Sequence, residues 1–155
     1  MQKHLKMSVK KSGRKKNNSR RDYIFACNSD PKEVRNIELF LNKMNASLRL
    51  DDGAMYRLLL SCTEAVNNAI LHGNHSDPSK SVRMRCVVQK NSLVVTVKDE
   101  GKGFDADHLA DPLAKENLLK ESGRGVFLMR SLMDEVKYTQ AKTGLTVRMK
   151  LNLVP

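Results

Sequence analysis

A glutamate and an asparagine stand four residues apart in EAVNNAILHGN (64–74). On a helix, Glu64 and Asn68 share one side and lie about 6 Å apart along the axis. The amide oxygen is a hard ligand for a hydrated cation, and the carboxylate beside it can orient or deprotonate a hydroxyl nucleophile. Taken alone, such a pair is also what an ordinary solvated helix face carries. His72, adjacent in register, reads as a surface or capping residue.

Two glycine-bearing stretches follow. In VKDEGKGFD (97–105), Asp99 ends an apolar run and stands just before Gly101 and Gly103. Glycines permit close backbone approach and positive φ. A carboxylate fixed at a strand end can accept from an exocyclic amine, the contact by which adenine is read. The plainer reading is a glycine-rich turn with a capping Asp. In ESGRGVFLMRSLMDEVKY (121–138), Gly123 and Gly125 lead into an apolar helix, with Arg124 between them. Free N–H groups at a helix start, together with the helix dipole, favour an anion there. A bare loop-to-helix transition would look the same. Neither glycine spacing is that of a Walker loop or a dinucleotide fingerprint.

These residues need a scaffold, and the hydrophobic pattern supplies one. YIFAC (23–27) reads as a strand. Asp30 as N-cap and Pro31 at the first helical position open a helix to about residue 46, with Val34, Ile37, Leu41 and Met44 on one stripe. Leu39 points to the opposite side of that helix and Phe40 to its flank, so the two could offer a second contact surface. Asp51 and Asp52 cap a longer helix reaching about His72. Its apolar sector is Met55, Leu58, Leu59, Cys62, Val66, Ala69 and Ile70, with Glu64 and Asn68 opposite. HGNHSDPS is a loop by composition. Strands follow at 82–88 and 92–99, joined by QKN. Residues 100–122 are rich in Gly, Asp and Lys and form a long connection of the kind that serves as a lid or binding loop. A helix spans about 124–134, then the strand VKYTQ, the turn AKTG and the alternating strand LTVRMKLNL. Strands joined by short turns favour a mixed, mostly antiparallel sheet with helices on one face, an α+β two-layer sandwich.

The 155 residues suit one domain with one core. Of the net charge of +11, nine Lys or Arg lie in residues 1–21 with no Asp or Glu, leaving about +2 elsewhere. The expectation is a disordered basic tail over 1–21 and a globular domain over 22–155. A charged tail alone gives a weak, salt-sensitive grip on polyanions. No aromatic-interleaved basic face accompanies it, so nucleic acid is not among the expected partners. Cys27, Cys62 and Cys86 sit in apolar segments with no CxxC spacing, as small hydrophobes of a reduced, cytoplasmic protein. No apolar run approaches a bilayer span, and no membrane partner is expected.

The order of the three motifs resembles the GHKL ATPase superfamily, with its Bergerat nucleotide fold: asparagine box, first glycine box, lid, second glycine box. The resemblance covers roughly residues 22–153. HGN after the asparagine box, the text DPLAKENLLKESGRG and the continuation GRGVFLMRSLMDEVKY look like the anti-sigma-factor serine/threonine kinases of the general-stress and sporulation type. The resemblance implies ATP and Mg²⁺ as cofactors. It makes Glu64 the general base toward a partner's serine hydroxyl or a water, and Asn68 a ligand of Mg²⁺. It makes Asp99 the acceptor for the adenine amine, and Gly101 and Gly103 the walls of the adenine pocket. Gly123, Arg124 and Gly125 would close over the phosphates, with 104–122 as the lid. Implied partners are a sigma factor, a small serine-bearing antagonist of the anti-sigma factor, and a second copy of the chain joined through residues 23–46. One position departs from the pattern: where many relatives have a threonine after the glycine opening the last strand, Leu145 stands, and strand alternation turns Thr146 to the opposite face. The alternative to a kinase is a non-catalytic ATP-binding module of a partner-switching pathway or phosphorelay, sharing every motif but not using Glu64.

Overall fold

The computed structural model describes residues 6–11, 21–101 and 121–153. Among these residues six strands form one sheet: β1 (Lys6–Lys11), β2 (Arg21–Asn28), β3 (Ser81–Gln89), β4 (Ser92–Lys98), β5 (Glu135–Ala141) and β6 (Gly144–Asn152). Their order is β1-β2-β3-β4-β6-β5, and every neighbouring pair is antiparallel. Helices α1 (Arg35–Leu48) and α2 (Asp52–Asn68) lie in the chain between β2 and β3, and α3 (Glu121–Leu132) precedes β5.

Period-two alternation places the core. Cross-strand pairing lines up Phe25, Met84, Val97, Val147 and Tyr138 in one row across the sheet, and Tyr23, Cys86, Val95, Met149 and Val136 in the next. Directly opposite residues share a face, so both rows point to one side. There they meet Ile37, Leu41 and Met44 of α1, Leu58, Cys62 and Val66 of α2, and Val126 and Met129 of α3. The alternate positions carry Arg83, Arg85 and Lys98, all exposed. On that second face Arg85 donates twice to Asp22, at 3.1 and 2.5 Å, and ties β3 to β2. The architecture is the two-layer α+β sandwich that the pattern implies.

The caps are where the sequence puts them. Asp30 accepts from the Lys32 N–H (2.9 Å) and Asp51 from the Ala54 N–H (2.8 Å). Elsewhere the structure corrects the expectation. Pro31–Val34 is a 3₁₀ turn, and α1 proper begins at Arg35. α2 ends at Asn68 in a π-helical turn, Ala69–Gly73, instead of running on to His72. α3 begins at Glu121, so the expected lid ends sooner and Gly123 and Gly125 fall within the helix, not ahead of it.

Two further corrections concern packing. Lys6–Lys11 pairs with β2 along its whole length, so a disordered tail over 1–21 does not describe these residues. An open edge of β2 would present unpaired backbone N–H and C=O groups, and a six-residue strand satisfies them whatever its charge. Phe40 is buried in the core, its ring 5.5 Å from that of Phe25 and tilted by 56°, so it offers no second contact surface. Leu39 stays 57% exposed.

Candidate functional site

Asp99 follows β4 and is held as an extension of the ladder. Its N–H donates to Leu145 O (3.1 Å), and the Leu145 N–H returns to Asp99 Oδ1 (3.0 Å). The Gly101 N–H donates to the same oxygen (3.0 Å). The residue is 2% exposed. Oδ1 is thus fixed by two backbone donors, while no donor among the described residues reaches Oδ2.

Glycines wall this carboxylate. A Cβ on Gly73 would overlap the Asp99 carboxylate itself, and one on Gly101 would overlap the Gly73 carbonyl. Gly144, at φ +141°, leaves no room for a Cβ against the Asp99 carbonyl. Gly73 reaches its place through the π-turn. The Asn74 N–H bonds to Ala69 O and the Ser76 N–H to Ile70 O, both at 2.8 Å. The extra residue per turn rotates the end of the helix toward β4, and π-turns of this kind are common at functional sites. Asn74 is wholly buried. Its Nδ2 donates to Ser29 Oγ (2.6 Å) and Ser81 O (2.9 Å), and its Oδ1 accepts the Glu100 N–H (2.8 Å).

The second cluster lies earlier on α2: by the helical rise Glu64 is roughly 13 Å and Asn68 roughly 7 Å before Gly73. Glu64 and Asn68 are half-buried on α2. Gly125 of α3 sits directly against them: a Cβ there would lie 2.5 Å from Glu64 Oε2 and 3.2 Å from Asn68 Nδ2. α3 is kept in this position from its far end, where the Arg57 Nε–H donates to Leu132 O (2.5 Å) and its guanidinium pairs with Asp134 (3.2 Å). The Asp134 N–H in turn donates to Lys150 O on β6.

The structure therefore brings Glu64, Asn68 and Gly125 together, and separately joins Asp99 and Gly101. Arg124 is exposed, beside Gly125. Gly123 lies in the first turn of α3, where N–H groups lack intrahelical acceptors. Gly103 and the lid up to residue 120 lie outside the described residues. Sequence reasoning gave no role to Gly73, Asn74 or Gly144, though HGN and the glycine of AKTG were the signals available. Among the described residues no group of three or more His, Cys, Asp or Glu could hold a metal ion. A cation held here would take Asn68 and share its remaining oxygens with a ligand. The three thiols are no nucleophiles. Burial pushes Cys27 and Cys86 up to about 12 and Cys62 well above the usual thiol range.

The sequence model of the histidine kinase-like ATPase domain matches residues 27–151. The chain belongs to that family. Among similar proteins, the serine-protein kinase RsbW of Bacillus subtilis (strain 168) is 33% identical over 141 residues, 86% of each chain. The anti-sigma F factor of Oceanobacillus iheyensis is 36% identical over 94 residues, 59% of this chain and 64% of that one. The chain thus spans a little under two thirds of the latter relative. The histidine kinase domain of the Erythrobacter litoralis EL346 blue-light activated histidine kinase superposes with a TM-score of 0.53 at 22% identity. That match covers 76% of this chain and 61% of the other, and it bears on the fold. No helix of this histidine kinase-like ATPase domain, among the described residues, is long and apolar enough to cross a membrane.

Proposed function

We propose that this chain is an ATP-binding anti-sigma regulatory factor that phosphorylates a serine or threonine of its antagonist protein. The observation that carries the reading is the close seating of Gly125 on the Glu64–Asn68 pair. It sets a carboxylate and a side-chain amide against α3 one turn beyond its start, where free N–H groups favour phosphate. The buried Asp99 carboxylate, one oxygen held by two backbone donors and the other taking none from the described residues, supports it from the other end, as an acceptor for an adenine amine inside a glycine cradle.

When bound, Mg-ATP supplies the phosphoryl group. Asn68 is the residue that would hold the cation, and Asp99 with Gly73, Gly101 and Gly144 would hold the base. Glu64 takes the proton of the antagonist's hydroxyl, which makes the oxygen nucleophilic while the helix start faces the phosphates. The family membership and the names of its relatives support a sigma factor and an antagonist as partners. A homodimer involving α1, with Leu39 on its exposed side, completes the proposal.

Two measurements test it. Calorimetry should show Mg-ATP binding that Asp99→Asn weakens about tenfold to a hundredfold, the loss expected for one hydrogen bond to a charged acceptor. Equal binding by the variant would move the base elsewhere. Glu64→Ala should keep nucleotide binding and lose transfer of label from γ-labelled ATP to the serine-bearing protein retained by the immobilised chain. Equal transfer by the variant would exclude Glu64 as the base. An inert wild type would leave a non-catalytic ATP-binding module.

A further inference from the structure

Asn74 belongs to neither cluster, yet its side chain touches three separate segments that bound the base-reading carboxylate. Nδ2 binds the turn after β2 through Ser29 and the start of β3 through Ser81, while Oδ1 holds the N–H of Glu100, the residue after Asp99. Its own N–H closes the π-turn, and the residue before it, Gly73, abuts the Asp99 carboxylate. From the other side of the same loop, Glu100 Oε2 accepts the Ser81 N–H (2.6 Å) and Ser81 Oγ–H (3.0 Å). A buried amide with both ends engaged resists displacement, because moving it strands several polar groups at once.

We propose that Asn74 is a positioning residue for base selectivity. It sets the direction in which Asp99 Oδ2 is presented, and so the preference for an aminopurine over an oxopurine nucleotide. The amine of adenine donates to that oxygen, whereas the carbonyl of guanine would oppose acceptor to acceptor. This contrast depends on direction, so a carboxylate free to swing with its loop discriminates less. The inference rests on Asp99 being the adenine acceptor.

The test is calorimetry of Mg-ATP and Mg-GTP on the full chain and on Asn74→Ala, Ser29→Ala and Asp99→Asn. Asn74→Ala should lower the ratio of ATP to GTP affinity about tenfold. Ser29→Ala removes one acceptor of the amide, keeps the Glu100 bond, and should lower the ratio about twofold to threefold. A variant that is merely less stable changes the number of binding sites per chain and leaves the ratio alone. A wild-type ratio in Asn74→Ala overturns the proposal. If that variant does not fold, a wild-type ratio in Ser29→Ala does the same. Should Asp99→Asn itself keep the wild-type ratio, the adenine reading falls first. Loss of the ratio in Asp99→Asn alone rejects only Asn74.

Discussion

Gly125 shows how much a missing methyl group can decide. A Cβ there would press on the end of the Glu64 side chain, which is flexible and would swing aside. Gly125→Ala is therefore expected to fold and to melt no lower than the wild type, since alanine in a helix is about 1 kcal/mol better than glycine. Phosphotransfer should fall about tenfold or more while ATP affinity changes little, because a displaced base loses its line to the hydroxyl. A melting curve beside a single-turnover assay checks both halves. At this scale the sequence was legible in placement: Glu64 and Asn68 share one side of α2, and Asp99 follows β4, as their spacing implies. Gly73 and Gly144 were not legible as site residues. Nothing in their neighbours along the chain says that each will meet Asp99, one through a π-turn and the other across β6.

Among the elements, those written by periodicity were the most readable. β3, β4 and β6 follow their alternation within a residue or two, and the capping aspartates mark the starts of the 3₁₀ turn and of α2. The π-turn escaped, because the apolar positions Ala69 and Ile70 fit an uninterrupted α-helix equally well. β1 escaped for a different reason: its partner is an edge, and no composition rule sees an edge. A chain lacking residues 1–20 uncovers β2 along the pairing that runs from Lys6 opposite Ala26 to Lys11 opposite Arg21. We expect ATP affinity within about twofold of the full chain, since β1 is an edge strand whose one neighbour in the described sheet is β2. We also expect a lower melting temperature and more self-association, because the freed edge can pair with another chain. Calorimetry, melting and light scattering read the three outcomes separately.

For the whole molecule, the buried thiols give a pH signature. Cys27, Cys62 and Cys86 are pushed up chiefly by burial, with Glu33, Cys86 and Asp22 respectively adding to it, and burial takes the Tyr138 hydroxyl up to about 12. In the unfolded chain the same groups ionise at about 8.5 to 10. Above that range the unfolded state binds fewer protons than the folded one, so stability falls with rising pH. Their contribution is fully present below about pH 8 and is lost progressively toward pH 12. Each thiol costs on the order of 1 kcal/mol by pH 10. The melting temperature should drop between about pH 8 and 10, and by less in Cys86→Ala, which has one thiol fewer to ionise. Thermal melts across that range decide it.

The strand order carries a consequence for how the chain assembles. β3 with β4, and β5 with β6, are hairpins whose ends meet across tight turns, so local search suffices to register them. β2 pairs with β3 only after a long excursion, Ser29 to Lys80, has closed, and that excursion contains α1, α2 and the π-turn. Closing that excursion carries the larger loop entropy, and slow folding follows from such distant pairings. Its mouth is fastened by the Ser29 N–H on Lys80 O and by Asn74 reaching to Ser29 and Ser81. The clasp that aims a carboxylate in the finished molecule is thus also the knot that closes one of its two long searches, the other being that of β4 for β6.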